Sequence, residues 1–96
     1  MFTITQKEDG EIVLTGRFDA SRVAEADAVL DQVKTTCRVN MKDLDYISSL
    51  GLGILLKTQK RLKASGNEII LIHMNKLIRD VFRIARFDTI FKIEED

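Results

Sequence analysis

The 96-residue sequence predicts a single α/β domain over residues 1–96, with a mixed four- to five-stranded β-sheet packed against three main helices. Apolar and polar residues alternate on both sides of Asp9-Gly10, a pattern typical of an antiparallel hairpin. Beyond it, helical periodicities alternate with short apolar runs, and Ile69–Ile72 has the unbroken hydrophobicity of a strand in a parallel sheet. A hairpin followed by strand–helix units indicates a mixed sheet with helical crossovers.

The opening hairpin is predicted from two short strands. Phe2 and Ile4 alternate with threonines, which is the period of a half-buried strand. Gly10 follows in the turn, where glycine adopts positive φ without steric cost. The return strand begins with Ile12-Val13-Leu14 and is expected to end at Gly16.

The pattern changes to a helical one between Ser21 and Lys34. Apolar residues at i, i+3, i+7 and i+10 form one stripe, namely Val23, Ala26, Leu30 and Val33. Either Asp19 or Ser21 could cap the first turn of this helix. A third strand is predicted from Cys37 to Met41, and residues 43–48 are predicted to be a loop.

A second helix is predicted from Ser49 to Ala64, ended by Ser65-Gly66-Asn67. Its apolar face holds Leu52, Leu55, Leu56, Gln59 and Leu62, and its opposite, solvated face holds Lys57, Lys60 and Arg61. Asn75 is expected to cap a third helix with the apolar residues Leu77, Ile78, Val81, Phe82, Ile84 and Ala85. Its basic residues Lys76, Arg79, Arg83 and Arg86 are interpreted as a solvated face. Residues 90–93 predict a short last strand or tail.

Charge and composition exclude several classes of function. The 15 basic and 15 acidic residues balance, so the net charge favours neither nucleic acid nor an anionic membrane as a partner. The charge is uneven, however: residues 1–48 carry 6 basic and 9 acidic side chains, and residues 49–96 carry 9 and 6. The lone Cys37 forms no internal disulfide, and neither a signal peptide nor an apolar run of about 20 residues is present. The sequence therefore predicts a soluble, cytoplasmic protein.

No catalytic or metal site can be named from the residue pattern. The single histidine, His73, ends an apolar strand without cysteines or carboxylates at metal-ligand spacing. Cys37 lies in a strand pattern, where a buried small hydrophobe is the expected role. Gly51-Leu52-Gly53 resembles part of a phosphate-binding fingerprint but lacks the third glycine and the Lys-Ser/Thr that complete it. The interpretation is a protein that is not an enzyme and has no cofactor.

Ser48 and Ser49 stand at the predicted junction of loop and second helix. The first N–H groups of a helix lack intrahelical partners, so a serine there serves as a cap. A phosphate there would meet free N–H groups and the positive end of the helix dipole, adding about −1.5 to −2 charges. Such a charge would act mainly on a docked partner. The residue pattern leaves both roles open.

Residues 40–53, with the core Ile47-Ser48-Ser49-Leu50-Gly51-Leu52, resemble the motif of the STAS domain in its stand-alone form, the bacterial anti-sigma factor antagonist. Residues 16–19 resemble the family's Gly-Glu-Leu-Asp, and the predicted element order agrees over essentially the whole chain. The sequence departs from the family at Asn40, where Asp is usual, and at Leu50, where Ser or Ala is usual.

The resemblance implies a partner switch without catalysis. The unphosphorylated protein would bind an anti-sigma factor that is also a serine kinase of the histidine-kinase-like ATPase type, which frees the sigma factor. The kinase would then phosphorylate the second serine of the motif, Ser49, with Ser48 as second choice. A PP2C-type phosphatase would reset the switch. Leu50 puts bulk beside the phosphoacceptor and so bears on which partner is bound.

The docking face implied by the resemblance comprises Asp19, Asn40, Tyr46, Ile47, Ser48, Ser49, Leu50, Gly51, Leu52 and Gly53. Each has an alternative role: Ile47 and Leu52 as core residues, Tyr46 as a core anchor, Asp19 as a cap, and the two glycines as points of close packing. Two other functions remain open. One is a STAS subunit that binds the ATPase of a transport complex, and the other is a small-ligand or nucleotide sensor.

Overall fold

The computed structural model describes residues 1–94, which form one five-stranded sheet in the order β1-β2-β3-β4-β5. The strands are β1 (Phe2–Gln6), β2 (Ile12–Phe18), β3 (Cys37–Ile47), β4 (Ile69–Ile72) and β5 (Lys92–Glu94). The first two are antiparallel and all later neighbours are parallel. The predicted mixed sheet and its opening hairpin are confirmed. Residues 95–96 of the predicted domain lie outside the described residues.

Three α-helices connect the parallel strands. They are α1 (Val23–Leu30), α2 (Ser49–Ala64) and α3 (Lys76–Ile84), with 3₁₀ turns at Ala20–Arg22 and Phe87–Thr89. Every crossover moves to the next strand in the same direction, and such connections are right-handed, so all three helices cover one face of the sheet. One hydrophobic cluster lies under them. None of these helices covers the opposite, open face of the sheet, where most side chains are exposed or half-buried but Ile70 and Ile72 are buried.

The largest correction concerns β3, because residues 43–47 are strand and not loop. Between the pairs Val13↔Asn40 and Thr15↔Asp43, β3 has one more residue than β2, and a second irregularity follows at Leu44. Each β-bulge shifts the alternation, so buried residues change from a spacing of two to a spacing of three. The alternation of period two that identifies a strand therefore ends at Met41, although the strand continues to Ile47. Its extension carries the chain to Ser48 at the edge of the sheet.

The first helix and the second strand also have different bounds from those predicted. Gly16 does not end β2, since its φ of +82° lets the Met1 carbonyl approach, and Arg17 N–H donates to that oxygen at 2.7 Å. The helix predicted from Ser21 to Lys34 is a 3₁₀ turn followed by only eight residues of α1. Val33 is nevertheless buried in the core, as the stripe required.

Helix α2 has the predicted bounds, and Asn75 caps α3 as predicted, accepting from Ile78 N–H at 3.0 Å.

The prediction that Arg61 belongs to the solvated face of α2 was wrong. Arg61 is not simply solvated, because its guanidinium donates to the carbonyls of Leu30 and Val33 at 2.9 and 2.8 Å. The Leu30 carbonyl, at the end of α1, also accepts from Val33 N–H at 3.0 Å, so Arg61 ties the last turn of α1 and the segment after it to α2.

The apolar assignment on α3 needs a similar correction. Ile78 and Phe82 are fully buried, but Leu77 and Ile84 are 60% and 78% exposed. The last strand also differs, since residues 87–89 form a 3₁₀ turn and β5 begins only at Lys92.

Candidate functional site

The candidate site lies where β2 and β3 end and α2 begins. The parallel pairing places Phe18 opposite Ile47, so both strands finish at the same edge of the sheet. Ser48 N–H donates to the Phe18 carbonyl at 2.9 Å, which joins the end of β2 to the start of α2. Asp19 therefore follows directly after a residue that is hydrogen-bonded to Ser48. The sequence separates Asp19 from Ser48 by 29 positions, and the parallel pairing brings them together.

The two adjacent serines have different roles at this edge. Ser48 is the N-cap of α2, and its Oγ accepts from Gly51 N–H at 3.1 Å. Ser49 is the first helical residue and its side chain is exposed. Within residues 1–94, no hydrogen-bond partner takes its hydroxyl. Of the two hydroxyls, that of Ser49 is the accessible one, next to backbone N–H groups at the positive end of a 16-residue helix.

The first turn of α2 is held against the sheet through Gly51. A Cβ at this position would lie 3.1 Å from Ile47 Cγ1 and 3.2 Å from two ring carbons of Phe18. A methyl group here would therefore require the Ile47 or Phe18 side chain to move by a few tenths of an ångström. Gly53 differs, because a Cβ there would meet nothing within 4 Å. The close-packing role proposed for both glycines therefore holds for Gly51 and not for Gly53.

Asp19 contributes a negative charge at this edge. Its Oδ1 accepts from the hydroxyl and the N–H of Ser21 at 2.5 and 3.0 Å, and it caps the 3₁₀ turn that precedes α1. The Ser21 hydroxyl, the Ser21 N–H and the nearby cations of Arg17 and Arg22 hold the pKa of this carboxyl below its ordinary value. Asp19 is thus a cap, and it is ionised at neutral pH.

The apolar residues of the motif divide between core and surface. Ile47 and Leu52 are buried, at 5% and 8% exposure, and face the hydrophobic cluster. Leu50, which follows Ser49, is 58% exposed, and Tyr46 is 38% exposed. Leu50 and Tyr46 are therefore available to a partner, whereas the core explains Ile47 and Leu52.

Tyr46 has a neighbour that the sequence pattern did not indicate. The Arg17 guanidinium carbon lies 4.3 Å from the centroid of the Tyr46 ring, a cation–π contact between paired residues of β2 and β3. Both side chains lie on the open face of the sheet. The pairing depends on the two bulges, so no count along the sequence would have found it.

Asn40 is not brought to this edge. It is the fourth of the eleven residues of β3, in register with Val13 on one side and Ile72 on the other. Its Oδ1 accepts from Lys42 N–H at 2.9 Å, and its Nδ2 donates to Glu11 at 3.4 Å. The local role of Asn40 is to shape the first bulge on the open face, away from the start of α2.

Comparison with known proteins places this geometry in a family. The family described as "Mlab, STAS domain" matches residues 2–94, which include every element of the fold. The chain belongs to the STAS domain family. A Bordetella bronchiseptica protein described as the anti-sigma factor antagonist BtrV is 34% identical over 70 residues, covering 73% of this chain and 60% of that protein. The anti-sigma-B factor antagonist of Staphylococcus aureus is 26% identical, covering 97% of this STAS domain and 90% of that protein.

Solved structures confirm the fold of the STAS domain. A Thermotoga maritima protein described as an anti-sigma factor antagonist superposes with a TM-score of 0.79 at 20% identity, over 100% of this chain and 86% of that one. The Bacillus protein SpoIIAA in its phosphorylated form gives a TM-score of 0.73 at 20% identity, over 100% and 91%. At this identity the likeness establishes the fold only.

Residues 1–94 contain neither a cluster of metal ligands nor a helix that could span a membrane. No group of three or more His, Cys, Asp or Glu side chains in this range could hold a metal ion. None of the helices in the same range has the length and apolar character needed to cross a membrane. Cys37 is buried, as expected, and burial raises the pKa of its thiol while the charge of Arg61 acts in the opposite direction.

Proposed function

We propose that this STAS domain is an anti-sigma factor antagonist whose binding is controlled by phosphorylation of Ser49. In its unphosphorylated form it binds a serine-kinase anti-sigma factor of the histidine-kinase-like ATPase type, which releases a sigma factor. The kinase phosphorylates Ser49 and ends the complex, and a PP2C-type phosphatase restores it. The chain itself is not an enzyme and acts in the cytoplasm.

The observation that carries this proposal is that the two adjacent serines have different roles, since Ser48 caps α2 and Ser49 exposes its hydroxyl. Ser48 uses its hydroxyl to cap α2, so its modification would disturb the helix start. Ser49 projects an exposed hydroxyl at the next position, where a phosphate is compatible with the helix dipole. Leu50 beside it exposes 58% of its surface and gives the partner an apolar contact. Two sequence relatives are described as anti-sigma factor antagonists, which supports the same class of function for this chain.

The mechanism follows from charge at the docking edge. The ionised Asp19 already places one negative charge there, and a phosphate on Ser49 adds about −1.5 to −2 more. A partner that fits the unphosphorylated edge must then bury a further anionic group against its own surface. Desolvation of the phosphate and its repulsion of acidic groups on the partner weaken the complex.

Phosphoryl transfer tests the proposal directly. The purified chain is incubated with ATP and each serine-kinase anti-sigma factor encoded in the source genome, and its mass is measured. One added phosphate mapped to Ser49 is expected, and Ser49→Ala should abolish it. Ser48→Ala is the matched control, since it removes the cap and leaves the acceptor. A phosphate mapped elsewhere, or no transfer from any of these kinases, contradicts the proposal.

A binding measurement tests the charge mechanism separately. Calorimetry with the kinase identified by transfer should give weaker binding for Ser49→Asp than for the wild type, and little change for Ser49→Ala. Equal affinity for the Asp and Ala variants would contradict control by charge, even if Ser49 were phosphorylated.

The exposed Leu50 also favours a second candidate, a subunit that docks on the ATPase of a transport complex. Such a subunit needs an apolar docking surface and no kinase. Co-purification of the tagged chain with a membrane-associated ATPase, lost in Leu50→Asp and retained in Ser49→Ala, would favour this function. Recovery of a soluble kinase in the same experiment would exclude it.

A further inference from the structure

Helix α3 carries an exposed surface that the proposed switch does not use. Its apolar part consists of Leu77 and Ile84, which are 60% and 78% exposed although both are large aliphatic residues. They are seven positions apart and therefore lie on the same side of the helix. Lys76 and Arg83 lie on one flank of this pair, about 100° and 120° around the helix from Leu77. We name Leu77, Ile84, Lys76 and Arg83 the α3 strip.

Asp80 forms ion pairs with both cations, Lys76 and Arg83, beside the apolar pair. Its carboxylate lies 3.0 Å from Arg83 Nη2 and 3.7 Å from Lys76 Nζ, one helical turn to either side. The side chains of Arg83 and Lys76 remain 68% and 92% exposed. Such surface ion pairs are weak and leave their cations open to a further acidic group. The strip thus presents positive charge along one flank of an apolar row.

Packing of α3 against the sheet does not explain this apolar row. The helix already buries Ile78 and Phe82 completely on its inner side. Leu77 and Ile84 add nothing to that contact. Two exposed aliphatic side chains flanked by cations are the complement of an amphipathic segment that carries its own apolar residues and acidic neighbours.

We propose that the α3 strip is a docking surface for an acidic amphipathic segment of a partner protein. Leu77 and Ile84 take the apolar residues of the segment, while Lys76 and Arg83 face its carboxylates. Residues 76–86 carry four basic side chains and one acidic side chain, so the local field also attracts an acidic partner. This surface is separate from the start of α2, and the inference does not depend on the function of Ser49.

Other occupants fit the strip less well. Only Lys76 and Arg83 flank the apolar row, and Asp80 is paired with both, whereas an anionic lipid surface or nucleic acid requires a larger cluster of cations on one face. A second copy of the chain offers the acidic residues Asp43 and Asp45 around an exposed aromatic, Tyr46. The Arg17 guanidinium already covers one face of that ring, and its positive charge would repel Lys76 and Arg83 of the strip.

A designed peptide tests the proposal by NMR. The probe is a helical peptide of about 14 residues with leucines at i, i+4, i+7 and i+11 and glutamates on the flanking positions. Titration into the ¹⁵N-labelled chain should shift amide signals of residues 76–86. A Leu77→Ser/Ile84→Ser double variant should bind about tenfold more weakly or worse, and added salt should weaken the wild-type complex. Leu50→Ser is the matched control, because Leu50 has a similar exposure but lies on α2.

Several outcomes would overturn the proposal. Shifts confined to other elements, or equal binding by the double variant, would remove the apolar row from the interface. Equal binding of a peptide with lysines in place of glutamates would exclude charge recognition, and equal binding of one with serines in place of leucines would exclude apolar docking. Sedimentation of the chain with phosphatidylglycerol vesicles, or concentration-dependent dimerisation lost in the double variant, would assign the strip to lipid or to a second copy.

Discussion

The contrast between Gly51 and Gly53 gives a sharp test of how α2 is fixed to the sheet. Gly51→Ala adds a methyl group 3.1 Å from Ile47 Cγ1 and 3.2 Å from Phe18 ring carbons, whereas carbon atoms prefer about 3.5–4.0 Å. Phe18 is fully buried and stacks on Phe2 with ring centroids 4.7 Å apart, so it has little room to retreat. The extra volume must therefore strain the core.

The magnitudes follow from two opposing effects. Overpacking a core by a methyl group costs about 1–3 kcal/mol, and replacing glycine by alanine inside a helix stabilises by about 0.5–1 kcal/mol. Gly51→Ala is therefore expected to lower the free energy of unfolding by about 1 kcal/mol. At Gly53 nothing lies within 4 Å of the added carbon, so only the helical gain applies. The two variants should differ by about 2 kcal/mol, although the chemical change is identical.

Urea denaturation followed by circular dichroism measures both values, with wild type, Gly51→Ala and Gly53→Ala compared at equal m-value. In a domain of this size the difference corresponds to about 8–16 °C in Tm. Stabilisation by both substitutions would show that the contact at Gly51 relaxes freely. Destabilisation by both would show that the space over Gly53 is not open. Either result refutes the reasoning.

Four further outcomes are expected. Ser48→Ala should lower the free energy of unfolding by about 1 kcal/mol through loss of the helix cap, and Ser48→Asp much less, as measured by urea denaturation. Arg61→Met should cost about 2 kcal/mol because two carbonyls lose a charged donor, and an equally stable variant would contradict that role. Burial raises the pKa of the Cys37 thiol, so iodoacetamide should modify it slowly in the native protein at pH 7 and quickly in urea. NMR titration should find the pKa of Asp19 below its ordinary value of 3.8; this lowered pKa means that its contribution to stability is complete above pH 3.8 and is lost as pH falls through the folded value.

Elements with a regular local pattern were predictable from the sequence. The hairpin, α2 and the cap of α3 depend on turn residues, a helical stripe and an amide side chain that act within a few positions. The second half of β3 was missed because its bulges are set by pairing with β2, and that pairing is a property of the tertiary fold. Residues 31–34 follow the helical stripe but lie outside the helix, since Val33 reaches the core without continuing α1.

The candidate site shows the same limit. The sequence placed Ser48 and Ser49 at a helix start, but only the backbone geometry decides which hydroxyl caps and which is exposed. The resemblance assigns Asn40 to the docking face because Asn40 lies in the same stretch of sequence as the motif. A strand spans about 3.3 Å per residue, so the seven residues between Asn40 and Ser48 separate them by most of the length of β3. Arg61 was assigned to solvent because helical periodicity cannot show that a long side chain reaches the end of another helix.

The attachment of α2 to the sheet also explains why a charge at Ser49 would change the binding of a partner and not the fold of the domain. Three contacts fix the helix start from the inside: Ser48 N–H to the Phe18 carbonyl, Ser48 Oγ to Gly51 N–H, and the close approach of Gly51 to the core. None of them involves the side chain of Ser49. A phosphate there would break no internal contact and would lie at the favourable end of the helix dipole. If Ser49 is the switch, the phosphorylated and unphosphorylated proteins therefore have the same fold and differ only in surface charge. The partner distinguishes them through the part of its own surface that contacts Leu50 and its neighbours.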